Sequence, residues 1–253
     1  MNNNKPYFYL AHLEEFRIRL LIILLVITIL IPVGWQFSQP LIDWLWRMAA
    51  PDNAGKMVYT TPMELFFVRL KLSLILSLCL GSPVIAWHSI KFFYPALYSH
   101  ERYYVGVLSL FSMILFILGA WLAIIVIYPM VLRFSYSMQS NTTIALLSVN
   151  SCVELACWLM LGFGICFQLP ILTLFLLKIQ IVSVASLTRL RPYIVVAIFI
   201  FAALFTPPDI VSQLTMAIPT WLLFEISVIL GKIIFKTAKP SKIINSSHTN
   251  EIK

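Results

Sequence analysis

Apolar positions along this chain do not alternate with polar ones at helical or strand spacing; they run on. Six nearly continuous runs stand out, at about 20–35, 72–90, 105–128, 152–177, 193–205 and 210–230. Each is bounded by charge, proline or glycine, and most approach the ~20 residues a helix needs to cross a bilayer. The run 105–128 holds no charge, and 152–177 holds a single acid, Glu154. A membrane β-barrel would show a two-residue alternation, which is absent. Backbone groups inside lipid must be satisfied within their own segment, so the pattern predicts six transmembrane helices.

The fifth run is the shortest. Its 13 residues make a helix of about 20 Å, against roughly 30 Å of hydrocarbon, so the fifth helix is expected to be too short to span alone and to lie in a thinned patch of bilayer. Only Thr206-Pro207-Pro208-Asp209 separates it from the sixth. The two prolines enforce the break, and Asp209, at the outer mouth of this hairpin, serves either as part of a polar groove open to a ligand or as the cap of the helix that follows.

Composition agrees with the pattern. The 253 residues are 60% hydrophobic and 11% charged, where a soluble domain carries about 25% charged residues. One membrane domain is expected over 1–238, followed by a polar tail, 239–253, expected to be mobile. The first run is expected to be retained rather than cleaved: Glu14 and Glu15 precede it, and Gly34-Trp35-Gln36 follows it where a cleaved leader would have small-x-small.

Charge then orients the bundle. Thirteen Lys and Arg fall on the side of the N-terminus; the opposite loops hold Arg47, Lys56 and Arg133, with Arg69 and Lys71 just inside a helix start. The positive-inside rule places both termini on the cytoplasmic side, or the stromal or matrix side in an organelle. The net charge of +8 thus reflects orientation in a bilayer. The basic residues are dispersed rather than striped, which argues against a nucleic-acid partner.

Candidate chemistry is sparse. Cys79, Cys152, Cys157 and Cys166 lie in or beside the runs without a CxxC and read as packing residues. No HExxH, nucleophile elbow, phosphate loop or metal-ligand cluster occurs, so no catalytic residue, metal or cofactor is expected. His12 and Glu15, one turn apart, read as structural. The polar groups that a membrane makes costly are more informative: Glu225 and Gln168 lie within runs and Glu154 near the start of one. Each serves either as a helix–helix hydrogen bond or as part of a polar groove open to a ligand. The chemistry therefore indicates binding and transport, and a small-molecule secondary transporter is the alternative. Such transporters carry internal repeats, and none relates the two halves of this chain.

Six stretches carry a resemblance: HLEEFRIRL at 12–20, TPMELF at 61–66, SPVIAW at 82–87, FFYPALYSHER at 92–102, RPYIV at 191–195 and TPPDIVSQLTMAIPTWLLFEI at 206–226. In this order they resemble the TatC family, the multi-spanning receptor of the twin-arginine protein translocase. The resemblance implies an all-α, six-helix protein with both termini inside, and no enzyme activity. Its implied role is to bind export signal peptides bearing two adjacent arginines and to organise single-span TatA-type and TatB-type partners. Folded cargo would then cross on the proton gradient, through a receptor complex that holds several copies of the chain. The family's recognition acids fall on Glu15 and Glu101, with Arg17 and Phe92 on the same surface. The implied membrane is a bacterial plasma membrane, or a thylakoid or mitochondrial inner membrane. Two positions depart from the family pattern: Phe16 replaces Leu, and Gln168 stands where many members carry Glu.

Overall fold

The structure is a computed structural model that describes residues 5–49, 57–59, 61–93, 102–137, 148–178, 181–206 and 210–234, with side chains described outside 5–13, 92–93, 102–105 and 234. Eight α-helical segments make six apolar spans. They are α1 (Lys5–Ala49), α2 (Glu64–Phe93), α3 (Arg102–Leu122), α4 (Tyr128–Ser137), α5 (Val149–Cys166), α6 (Leu169–Lys178), α7 (Val184–Phe205) and α8 (Ile210–Ile234). The tail 239–253 lies outside the described residues.

Several of the spans outrun their apolar patterns. Helix α1 contains Pro32 and continues past Trp35 through Pro40 and a polar stretch to Ala49. The polar side chains find partners along the helix: Ser38 Oγ donates to the Trp35 carbonyl at 2.7 Å and Gln39 Nε2 to Asp43 at 3.2 Å. The third span is α3 and α4 joined by a π-helical turn, Ala123–Ile127. That turn immediately precedes Pro129, which has no N–H to return to the turn before it. The fourth span breaks between α5 and α6 at Phe167 and Gln168, ahead of Pro170. Ser148 starts α5 by accepting from the Ser151 amide, and Ser183 starts α7 in the same way, both at 3.1 Å.

The fifth helix corrects the reading of 193–205 as a segment too short to span. Helix α7 has 22 residues, about 32 Å, because the helix begins at Val184 and carries Arg189, Arg191 and Pro192 in its first half. The uncharged part, from Pro192 onward, is still short. The close link to the sixth helix is observed, with α8 starting at Ile210.

The core is built where α2, the π turn and α5 meet, around Val68, Leu72, Tyr128, Val153, Leu159 and Phe163. No hydrophobic force separates helix from lipid, so close backbone approach decides packing. Helices α1 and α2 meet at Gly34, where an added Cβ would lie 2.5 Å from the Ser73 carbonyl oxygen. Helix α7 packs on α8 and lies largely outside the core, most of it exposed with Ile198 and Ala202 among its few buried residues, whereas α8 packs against α6 as well and brings Met216 and Ala217 into the core.

Candidate functional site

The membrane-buried polar groups resolve into three clusters. At the end of the bundle where α2 and α5 begin, the buried carboxylate of Glu64 accepts from the Thr61 amide at 3.3 Å and the Asn150 amide at 3.1 Å. It thereby caps its own helix and the start of α5 at once. Lys71 donates to Glu154 and to Asn150, each at 3.3 Å. Glu154 is thus an inter-helix partner. One turn into α2, Arg69 stacks over the Trp35 ring, 4.5 Å from its centre, and donates to Ser38 Oγ at 3.0 Å and to the Trp35 carbonyl at 3.3 Å.

The second cluster is Gln168. It sits at the break between α5 and α6, half-buried, and grips one residue of α3 from both sides. Its Nε2 donates to the Ser112 carbonyl at 2.9 Å while its Oε1 accepts from Ser112 Oγ at 2.5 Å. The amide is therefore used within the chain, as a clamp that needs both a donor and an acceptor. Gln168→Leu is expected to lose both bonds and about 1 kcal/mol of stability, taking roughly 0.6 kcal/mol per interhelical bond. Gln168→Glu is expected to fall between the two, because a carboxylate cannot donate to the carbonyl unless protonated. Melting temperatures of the purified chain would show this order; a leucine variant that melts with the parent would reduce the clamp to packing.

The third cluster joins α7 to α8. Arg191 donates to Glu225 at 2.8 Å, with the acid about one-fifth exposed. Both residues were visible in the sequence as isolated charges; their pairing across 34 positions was not. At the other end of the same hairpin, toward its turn, Gln213 Nε2 donates to the Phe199 carbonyl at 3.1 Å.

The fourth feature is open rather than closed. Where α1 begins and α2 ends, a groove of about 410 Å³ is lined by Glu14, Glu15, Ile18, Arg19 and Ile22 from α1 and by His88 and Lys91 from α2. Glu15, Ile18, Arg19 and Ile22 recur at helical spacing, so one stripe of α1 faces α2. Arg19 reaches back one turn to Glu15, its Nε at 3.1 Å from Oε1 and its Nη2 on the same oxygen. Two carboxylates and the cations of Arg19 and Lys91 line the groove together with His88.

Of the residues that the sequence singled out for recognition, Glu15 lies in this groove. Arg17 is exposed on the same helix and does not line it. Phe92 lies in the last turn of α2, one residue past Lys91, with its side chain outside the described set. Glu101 and Asp209 lie outside the described residues altogether. Sequence reasoning missed His88 as a groove residue and Arg19 as a partner of Glu15. The latter was legible in principle, since Glu-x-x-x-Arg is the spacing of an ion pair on one helix face.

Known proteins agree with this architecture along nearly the whole chain. The family model for the Sec-independent protein translocase protein (TatC) matches residues 11–219. The Sec-independent protein translocase protein TatC of Magnetococcus marinus is 35% identical over 226 residues, 87% of this chain and 82% of that one. Its counterpart in Helicobacter pylori strain J99 is 30% identical over 96% of this chain and 94% of its own length. A crystal structure of the twin arginine translocase receptor TatC in DDM aligns with a TM-score of 0.75 at 32% identity, over 87% of this chain and 99% of that one. An all-helical chain with six membrane-length spans, matched in sequence and in fold over this extent, belongs to the TatC family of Sec-independent protein translocase subunits and is an integral membrane protein.

Proposed function

We propose that the chain is the receptor of its translocase. It binds the paired arginines of signal peptides at the end of the bundle where α1 begins and α2 ends, and it organises TatA-type and TatB-type single-span partners for transport of folded proteins on the proton gradient. Both termini, and with them this groove, face the cytoplasm, in accord with the thirteen Lys and Arg on that side. Several copies of the chain work together in the receptor complex. The relatives described above are bacterial proteins, which supports a bacterial plasma membrane.

One observation carries the reading: the groove already holds a guanidinium. Arg19 Nε and Nη2 both meet Glu15 Oε1, an arginine on a carboxylate at this corner, which supports the reading. A second acid, Glu101, directly precedes α3 in the sequence, so a pair of arginines has a carboxylate for each. Hydrogen bonds to charged groups contribute about 1.5–3 kcal/mol each, enough to select a paired-arginine sequence and weak enough to release it. No nucleotide is required for such a step.

Site-specific photocrosslinking tests binding and orientation together. In inverted vesicles, which expose the cytoplasmic face, probes placed at Glu15 and at Glu101 are expected to capture a radiolabelled twin-arginine peptide. A probe at Asn53, in the opposite loop, is expected to capture none. Capture at Asn53 with silence at Glu15 and Glu101 would overturn both the site and the orientation.

A further inference from the structure

His88 lines the groove beside Glu15, and its Nδ1 is buried and makes no hydrogen bond among the described residues. A buried nitrogen that finds no partner among those residues has lost water without a replacement there, an arrangement that a bound ligand relieves. His88 stands on α2, across the groove from the Glu15 stripe of α1, with Lys91 one turn further on.

Arginine brings more donors than one carboxylate can take. Its guanidinium carries five N–H groups in a fixed plane, and a carboxylate engaged side-on accepts two of them. The remaining donors point past the acid, toward the opposite wall. Neutral imidazole offers one acceptor nitrogen there, provided the proton resides on the other. Lysine presents a compact ammonium with no planar fork, and it gains little from an acceptor placed on a second wall.

We propose that His88 is a ligand-binding residue of this groove, its Nδ1 accepting a hydrogen bond from the guanidinium of a signal-peptide arginine held by Glu15, and that it sharpens selection of arginine over lysine. The proposal rests on the reading of the groove as the arginine-binding site. Helices α1 and α2 then read the same side chain from two directions. The acid supplies the charge, and the imidazole supplies the direction.

The test uses the full chain in lipid nanodiscs and a fluorescent synthetic peptide carrying either two arginines or two lysines at the recognition positions. His88→Leu is expected to weaken the arginine peptide about tenfold and the lysine peptide hardly at all, so that selectivity falls. His88→Gln keeps an acceptor and is expected to stay within about twofold of the parent. His88→Phe repeats the test at similar volume should the leucine variant not accumulate. Unchanged selectivity in the Leu or Phe variant, or equal weakening of both peptides, would overturn the role of His88. Glu15→Gln separates the two levels: if it loses the arginine peptide while His88→Leu does not, only His88 is wrong. If both variants bind as the parent does, the groove itself is misread.

Discussion

Glu15→Lys and Glu101→Lys are each expected to abolish binding of a twin-arginine peptide in a protein that still accumulates and folds. Neutralising one acid removes a charge-assisted bond of about 1.5–3 kcal/mol, a loss of roughly tenfold to a hundredfold. Reversing its sign adds repulsion of the same ligand, in a groove where Arg19 and Lys91 already stand. Stability should change little at position 15, because a pair one helical turn apart on a helix surface contributes only about 0.3–0.5 kcal/mol. Glu101→Asp shortens the reach and keeps the charge, so a milder loss is expected. Fluorescence anisotropy with the labelled peptide gives the affinity, and membrane levels of each variant control for folding. Normal binding by either Lys variant would remove that acid from the site.

Glu225→Leu is expected to be the most destabilising single change in the fifth and sixth spans. It strips Arg191 of its acid inside a membrane helix pair, where the Arg191 Nε is already buried without a hydrogen bond among the described residues. An uncompensated charge at such a position costs about 2–3 kcal/mol. The double variant, Arg191→Leu with Glu225→Leu, removes both charges and is expected to recover much of that loss, since replacing a pair is far less costly than orphaning one member. Membrane accumulation and the melting temperature of the purified chain measure the difference. If the single variant is no worse than the double, the pair does not hold α7 to α8.

The number and order of spans were legible in the sequence because lipid imposes a length and a composition on each one. Their ends were not. The pattern stopped α1 at Trp35 because Gln36, Ser38, Gln39 and Asp43 look like a loop, yet Ser38, Gln39 and Asp43 bond along the helix and Ser38 also accepts from Arg69. It started the fifth helix after Arg191 for the same reason, and the charge that seemed to bar it is met by Glu225 from 34 residues away. Polarity marks a helix end only when nothing distant compensates it. The groove between α1 and α2 shows the same division. Glu15 was found through its motif, whereas His88 joins it only through the packing of α1 on α2. Gln168 was visible as a polar residue in a span, but Ser112, which decides its role, is one unremarked serine on another helix.

Arg69 has a bearing on how the protein is made. In the folded chain its guanidinium is solvated, among the described residues, by α1, through the Trp35 ring, the Trp35 carbonyl and Ser38 Oγ. An α2 released into lipid by itself would have to lodge that charge without any of these groups, and a charge within a spanning helix is costly unless protein or water meets it. The favourable route during synthesis is for the first two helices to enter the bilayer as a hairpin, α1 serving as an intramolecular chaperone for the helix that follows it.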